Sequence, residues 1–432
     1  MQSIWSYESS LPSFESLKGD IKTDVLIIGG GMAGILTAFM LKEAGIDYAL
    51  VEAGSICGGV TKNTTAKITS QHGLIYNKIV KAYGREKAKI YLTANENAVL
   101  KYKDLCKNID CNFEKKDAFV YSLSSRKKIE NEIQALSSIG FSAQFENNIP
   151  LPFHIEAAVR FKNQAQFNPL KFISEIAKGL NIYENTKVIE LIGLKAKTQH
   201  GFINAKNIIV ATHFPFINKH GSFFIKMYQS RSYVIALSGG ANVNGMYLDE
   251  AEKGLSFRNY NDLLLIGGGD HRTGKKGGKW QELLDFASVH YKNSQKKFHW
   301  ATQDCMTLDS IPYIGLYSKN TPNLYVATGF NKWGMTSSMV AAGILCDMVQ
   351  GKTNPYSKVF DPKRTILHAN LATNAISNTG SFLKPTIKRC PHMGCALSWN
   401  KEESSWDCSC HGSRFAKDGK LIDNPATGDL KK

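Results

Sequence analysis

The stretch Thr23–Gly54, "TDVLIIGGGMAGILTAFMLKEAGIDYALVEAG", constrains the fold more than any other part of the chain. Val25–Ile28 is a short apolar run, the pattern of a strand buried on both faces. Gly29, Gly31 and Gly34 follow as G-x-G-x-x-G. An apolar helix then opens at Met32 and Ala33 and carries Leu36, Phe39, Met40 and Leu41. "YALVEAG" reads as a second strand ending at Glu52. Each part has a physical task. Gly29 permits the tight turn, Gly31 lets backbone approach a pyrophosphate at the helix N-terminus, and Gly34 lets helix and strand pack closely. Glu52 can accept hydrogen bonds from ribose hydroxyls. The glycines alone are a weak signal. Strand, helix, second strand and acid in register predict a dinucleotide site.

The next stretch, "GGVTKNTTAKITSQHG", is rich in glycine and hydroxyls. Here the chain resembles the FAD-dependent oxidoreductases of the D-amino-acid oxidase and glycine oxidase type. That resemblance implies a loop wrapping FAD at Thr61, Asn63, Thr64 and Thr65. Further matches come in order. "FNPLKFISEIAKGL" is an amphipathic helix pattern, with Ile173, Ile176, Ala177 and Leu180 on one face. Val188 corresponds to an adenine contact, and a buried strand ends near the cofactor at Ala211 and Thr212. "NLYVATGFNKWGMTSSMVAAGILCDMVQG" resembles the closing flavin segment, with Gly329, Gly334, Met335 and Thr336 at the cofactor and a helix starting near Thr336.

The implied architecture is α/β. Residues 20–105, 156–227 and 319–355 are expected to form a Rossmann-like FAD-binding domain. Residues 106–155 and 228–318 are expected to form an inserted antiparallel sheet for the substrate. Runs such as "SRSYVIALSG" and "DLLLIGGGDHRTG" fit its strands.

The tail raises a separate question. Four of the nine cysteines and two of the eleven histidines fall in the last 43 residues. Cys390-Pro-His392 is C-x-H, and Cys408-Ser-Cys410-His411 contains C-x-x-H. Two thiols and two imidazoles on two loops suit either a structural zinc or a Rieske [2Fe–2S] cluster. The flanking residues resemble Rieske proteins of the respiratory-complex kind. That resemblance implies metal ligands Cys390, His392, Cys408 and His411, and a disulfide between Cys395 and Cys410. It also implies a serine donor to the cluster at Ser413 and a proline loop at "NPATGDL". Phe415 stands where high-potential relatives have a tyrosine. A middling potential is expected within the Rieske window of roughly −150 to +300 mV. The lobe is placed at 389–432 with a shortened base. Residues 356–388 read as linker, with only "SFLKPTIKR" strand-like.

Taken together, the chain is similar to bacterial fusions of a glycine-oxidase-like flavoprotein with a Rieske domain. The expected reaction is hydride transfer from an amine-bearing carbon to FAD, followed by single-electron transfer through the cluster to a one-electron carrier protein. A small-molecule amine or amino acid is the expected substrate. Arg231, Arg272 and Lys332 are the candidates for holding its carboxylate, with Thr336 at the position where related amine oxidases carry a basic residue. His213 and His271 read as structural.

A flavoprotein acting on tRNA, and a plain flavin oxidase with a zinc-bound or empty tail, remain alternatives. The formal net charge is +16, all of it upstream of residue 390. No basic run is interleaved with aromatics, so the charge reads as a solvated surface and not a nucleic-acid footprint. No apolar run is long enough to span a membrane, and the N-terminus lacks a secretion signal, so a cytoplasmic location is expected.

Overall fold

The computed structural model describes residues 2–217, 220–365 and 388–430. Two large sheets and one small sheet organise them. The first is eight-stranded, and its main path runs Tyr313–Leu316, Leu324–Thr328, Phe202–Val210, Ile21–Ile28, Tyr48–Val51, Ile182–Tyr183. From Leu324–Thr328 onward the neighbours on this path are parallel. Ile27 lies opposite Ile209 on one side and Leu50 on the other, and all three are fully buried. That is why Val25–Ile28 carries no polar residue.

Helices Met32–Glu43 and Gly334–Val349 pack against each other and contact this sheet. Burial nearly all round explains their apolar sequences. The second helix begins at Gly334, two residues before the expected start.

The second sheet has nine strands, built around Met227–Ser238, Leu263–Arg272 and Gln295–Thr307. It is antiparallel except where Met246–Asp249 runs beside Glu114–Ser122. Its membership departs from the expected boundaries. Ala157–Gln166 pairs with Glu114–Ser122 in this sheet, although 156–227 is expected to belong to the FAD-binding domain. Lys67–Ile68 joins the same sheet, while Tyr313–Leu316 belongs to the first. The chain crosses back at Asn168, whose side chain caps helix Pro169–Ile176 by accepting from the Leu170 and Lys171 amides. These pairings join strands far apart in the chain, which the linear pattern does not mark.

The third sheet holds four antiparallel strands, Leu397–Asn400, Ser405–Cys408, Arg414–Ala416 and Leu421–Asp423. Before it, residues 356–365 are packed rather than free. Arg364 pairs with Asp309 at 2.7 Å and donates to the Pro312 carbonyl at 3.0 Å. The rest of the expected linker and most of the strand-like "SFLKPTIKR" fall on 366–387, outside the described residues. Among the described residues, no helix is long and apolar enough to cross a membrane.

Candidate cofactor cavity and cluster site

A cavity of about 970 Å³ opens beyond the carboxyl ends of the parallel strands, where ligands bind in such sheets. Gly29, Gly31, Met32, Ala33 and Glu52 line it. A Cβ on Gly29, at φ +113°, would lie 2.6 Å from the Ala211 carbonyl oxygen. At Gly31 a Cβ would meet only Thr61 Oγ1, at 3.5 Å, so the glycine keeps the helix N-terminus bare toward the cavity. Gly34 does not line the cavity. Its Cβ would fall 1.9 Å from the Gly29 carbonyl oxygen, so its role is the close packing of helix on turn. The Glu52 carboxylate accepts from the Gly30 amide at 2.7 Å and the Gly54 amide at 3.0 Å.

The hydroxyl-rich loop is held from both sides. Thr61 Oγ1 accepts from the Met32 amide at 3.1 Å. Trp5, in the short Ser3-capped helix Ile4–Glu8, donates to the Thr64 carbonyl at 2.7 Å. Arg258 donates to the Thr65 and Ala66 carbonyls at 2.7 and 2.9 Å. Thr61, Thr64 and Thr65 line the cavity, whereas Asn63 does not, its carbonyl accepting from Trp300. Sequence reasoning missed Trp5 and Arg258 because both act from distant segments. Val188, Ala211, Thr212, Gly329, Gly334 and Met335 complete the expected lining.

Thr336 is a correction. It is buried, its Oγ1 lies 2.9 Å from His72 Nε2, and it donates to the Thr69 carbonyl, away from the cavity. Arg231 and Arg272 are also corrected. Arg231 pairs with Glu403 of the C-terminal lobe. Arg272 donates to the Ser409 and Cys410 carbonyls at 3.1 and 3.0 Å. Both face the lobe because it seats on the strands that carry them. Of the three basic candidates only Lys332 lines the cavity, where it pairs with Asp270 at 2.6 Å. His213 lines it too, its basicity lowered by burial, while His271 stacks on Tyr233.

The lobe brings Cys390, His392, Cys408 and His411 together. A hydrogen bond from the Cys408 thiol is the main cause holding Cys390 down to about 7, and the same contact pushes Cys408 up. Burial lowers His392 to about 4 and His411 to about 3, so both imidazoles are neutral, the form that binds metal. Their ring centroids lie 4.9 Å apart. His411 Nδ1 is buried without a hydrogen-bond partner, as a nitrogen kept for a metal would be. Cys395 and Cys410 are joined by a disulfide that ties the two loops. The Sγ atoms of Cys395, Cys408 and Cys410 lie within 4.8 Å of one another, but the disulfide removes two of them as thiolate ligands. The donor set is therefore two thiols and two imidazoles, which fits a Rieske cluster.

The lobe is seated firmly on the larger body. Gln229 donates to the His411 carbonyl at 2.7 Å and the Asn424 carbonyl at 3.0 Å. Gln303 donates to the Gly412 carbonyl at 2.9 Å. Asn424 donates back to the Thr212 and Phe214 carbonyls at 2.6 and 2.9 Å.

Comparison with known proteins agrees with this geometry. Residues 24–348 match the model of the DAO family, described as FAD dependent oxidoreductase. The chain belongs to this family. Residues 371–432 match the Rieske [2Fe-2S] domain, a match that starts inside the segment expected to be linker. It also decides between zinc and iron–sulfur at the tail. A Bacillus subtilis (strain 168) protein named for a Rieske 2Fe-2S iron-sulfur centre, YhfW, is 34% identical, covering 100% of this chain and 97% of its own length. Among solved structures, L-proline dehydrogenase from P. horikoshii aligns with a TM-score of 0.67 at 18% identity, covering 81% of this chain and 98% of its own. Glycine oxidase from Geobacillus kaustophilus aligns with a TM-score of 0.67 at 17% identity, covering 80% and 100%. The DAO-family body of this oxidoreductase binds FAD, and its Rieske domain binds a [2Fe–2S] cluster.

Proposed function

We propose that the protein oxidises an amine or amino acid in the cavity and passes the electrons singly, through the Rieske domain, to an external one-electron carrier. The observation that carries this reading is that the cavity is shared. Leu421, Asp423, Asn424 and Ala426 of the Rieske domain line it together with the glycine turn and the closing helix. When bound, FAD supplies a two-electron acceptor and the cluster a one-electron carrier.

The chain's own residues hold the Rieske domain against the cavity wall. Asn424 seals the boundary through Thr212 and Phe214. The rings of Phe214 and Phe224 flank His411 at 6.3 and 6.1 Å. Gln229 ties the backbone of His411 to the sheet that walls the cavity. Pro391 and Met393, the chain neighbours of His392, are exposed, which suits contact with an outside carrier. The amine reading is supported by relatives of the same fold named for proline and glycine, both amines with a hydrogen on the adjacent carbon.

The test is anaerobic mixing with a panel of amines and amino acids. Flavin absorbance and the EPR signal of the reduced cluster are followed together. Bleaching followed by the cluster signal is expected. A panel that never bleaches the flavin defeats the substrate reading. Bleaching without a cluster signal defeats the relay.

A further inference from the structure

The arginines expected to anchor a substrate carboxylate serve the domain boundary, and the sheet-side wall of the cavity is left with a different polar set. Ser232 and Thr302 are direct cross-strand partners in the nine-stranded sheet. Both line the cavity, and both hydroxyls are buried without a hydrogen-bond partner. Ser232 is 8% exposed. Asp304 lines the cavity two residues along the same strand as Thr302. The charges of Lys332, Asp270 and Arg231 act on it, and none of them hydrogen-bonds to it. Lys332 is already paired with Asp270, and Arg231 with Glu403. Those pairs cancel each other; Lys67, on another strand of the same sheet, also lines the cavity, but it donates to the Tyr247 carbonyl at 3.0 Å and burial lowers it to about 7. Asp304 is left as a carboxylate of this wall with no ion pair among the described residues. An unsatisfied buried hydroxyl costs about 1–3 kcal/mol unless a ligand supplies the missing partner.

We propose that Ser232, Thr302 and Asp304 form a subsite for a primary ammonium group of the substrate. The proposal rests on the amine-oxidation reading above and narrows its substrate class. A primary ammonium has three N–H donors, and the wall offers three acceptors for them. A quaternary ammonium has no donor for the hydroxyls. A carboxylate at this position would be repelled by Asp304. Burial raises the Asp304 carboxyl to about 6, with Lys332 pulling the other way, and a bound ammonium would favour its ionised form.

The test uses tert-butylammonium, which has no hydrogen on the carbon next to nitrogen and cannot be oxidised. It is titrated calorimetrically into the FAD-loaded full chain, with tetramethylammonium and pivalate as comparisons. Saturable binding of tert-butylammonium is expected, tighter than either comparison. Asp304→Asn should weaken it by about tenfold, the equivalent of one charge-assisted hydrogen bond. Ser232→Ala should weaken it by a smaller factor. The subsite is overturned if tert-butylammonium does not bind, if pivalate binds more tightly, or if Asp304→Asn binds like the parent. Because the probe is never turned over, the subsite can fail while amine oxidation stands. Conversely, tert-butylammonium binding to a protein that no amine reduces would keep the subsite and remove the oxidation reading.

Discussion

Arg231 of the nine-stranded sheet and Glu403 of the Rieske domain form an ion pair whose side chains are only 7% and 2% exposed. Arg231 Nε donates to Glu403 Oε1 at 2.7 Å, and its Nη2 donates to Oε2. Arg414 donates to the same carboxylate at 2.9 Å and also engages Asp407 and Asp423. Such a bidentate clasp fixes the seat of the domain as well as holding it. Removing one partner strands a buried charge, at about 3–5 kcal/mol. Glu403→Gln should therefore lower the urea midpoint of the transition that releases the Rieske domain. The double variant Arg231→Met/Glu403→Leu, which leaves no orphan at that pair, should recover the part of the loss due to Arg231, while Arg414 still lacks its bond to Glu403 and keeps those to Asp407 and Asp423. A Glu403→Gln midpoint equal to the parent's would remove the clasp from the account.

The same carboxylate sets an acid limit. Burial pushes Glu403 up, but Arg231 and Arg414 outweigh it and hold the folded value below that of an ordinary glutamate. A folded pKa below the unfolded value of roughly 4.3 stabilises the folded form above that pH. The contribution is lost as pH falls through the depressed value. Domain seating should thus be flat with pH near neutrality and weaken only in acid. Tryptophan fluorescence, to which Trp399 and Trp406 of the Rieske domain contribute alongside four tryptophans of the larger body, follows the change during acid titration. Release that begins near pH 6 would point to another group.

Gly34 is predicted to be essential for flavin binding although it does not face the cavity. In Gly34→Ala the added Cβ meets backbone, the Gly29 carbonyl oxygen at 1.9 Å, so no side chain can swing aside. Overpacking of this kind costs about 1–3 kcal/mol and opens the turn by shifting backbone. The variant should purify with little FAD while keeping its Rieske domain. Measurement of bound flavin against bound iron checks this. A full complement of flavin would show that the turn tolerates the shift.

What was legible in the sequence was local. The turn at Gly29–Gly34 and the spacing of Cys390, His392, Cys408 and His411 depend on near neighbours, so a linear pattern carries them. Arg231, Arg272 and Thr336 were misplaced for the opposite reason. Their partners lie 172, 137 and 264 residues away, at Glu403, Ser409 and His72. Alternation places Arg231 on a strand but does not say which surface covers it. For the same reason, the pairing of Ala157–Gln166 with Glu114–Ser122, across the expected boundary near residue 156, is not legible in the linear pattern. The unpartnered hydroxyls of Ser232 and Thr302 become visible only once two strands 70 residues apart in the chain are paired.

The Cys395–Cys410 disulfide should protect the cluster rather than the flavoprotein body. Both cysteines are fully buried, and their sequence separation is 15. Closing a loop of that length stabilises by about 3 kcal/mol in the chain-entropy model. The double variant Cys395→Ser/Cys410→Ser should keep its FAD and its thermal transition for the body. Its iron should pass to an external chelator faster than the parent's does. Equal rates of iron loss would mean that the seat on the larger body, and not the disulfide, holds the two loops together.

Ser413 and Phe415 should tune the cluster in opposite directions when substituted. The Ser413 hydroxyl oxygen accepts from the Ala426 amide at 3.0 Å, which leaves its proton to point toward the Cys390 sulfur. That hydrogen bond is among the causes that lower Cys390. Reduction adds negative charge to the ligand sulfurs, so a donor favours the reduced form and raises the potential. Ser413→Ala removes the donor and should lower the midpoint. Phe415 is fully buried against the ligand cysteines and donates nothing. Phe415→Tyr adds a hydroxyl in that cluster and should raise the midpoint. For one electron, a differential of about 1 kcal/mol corresponds to about 40 mV, so shifts of that order are expected. EPR-monitored redox titration of both variants checks the signs. Shifts in the same direction, or none in either variant, would show that hydrogen bonds at these two positions do not set the potential.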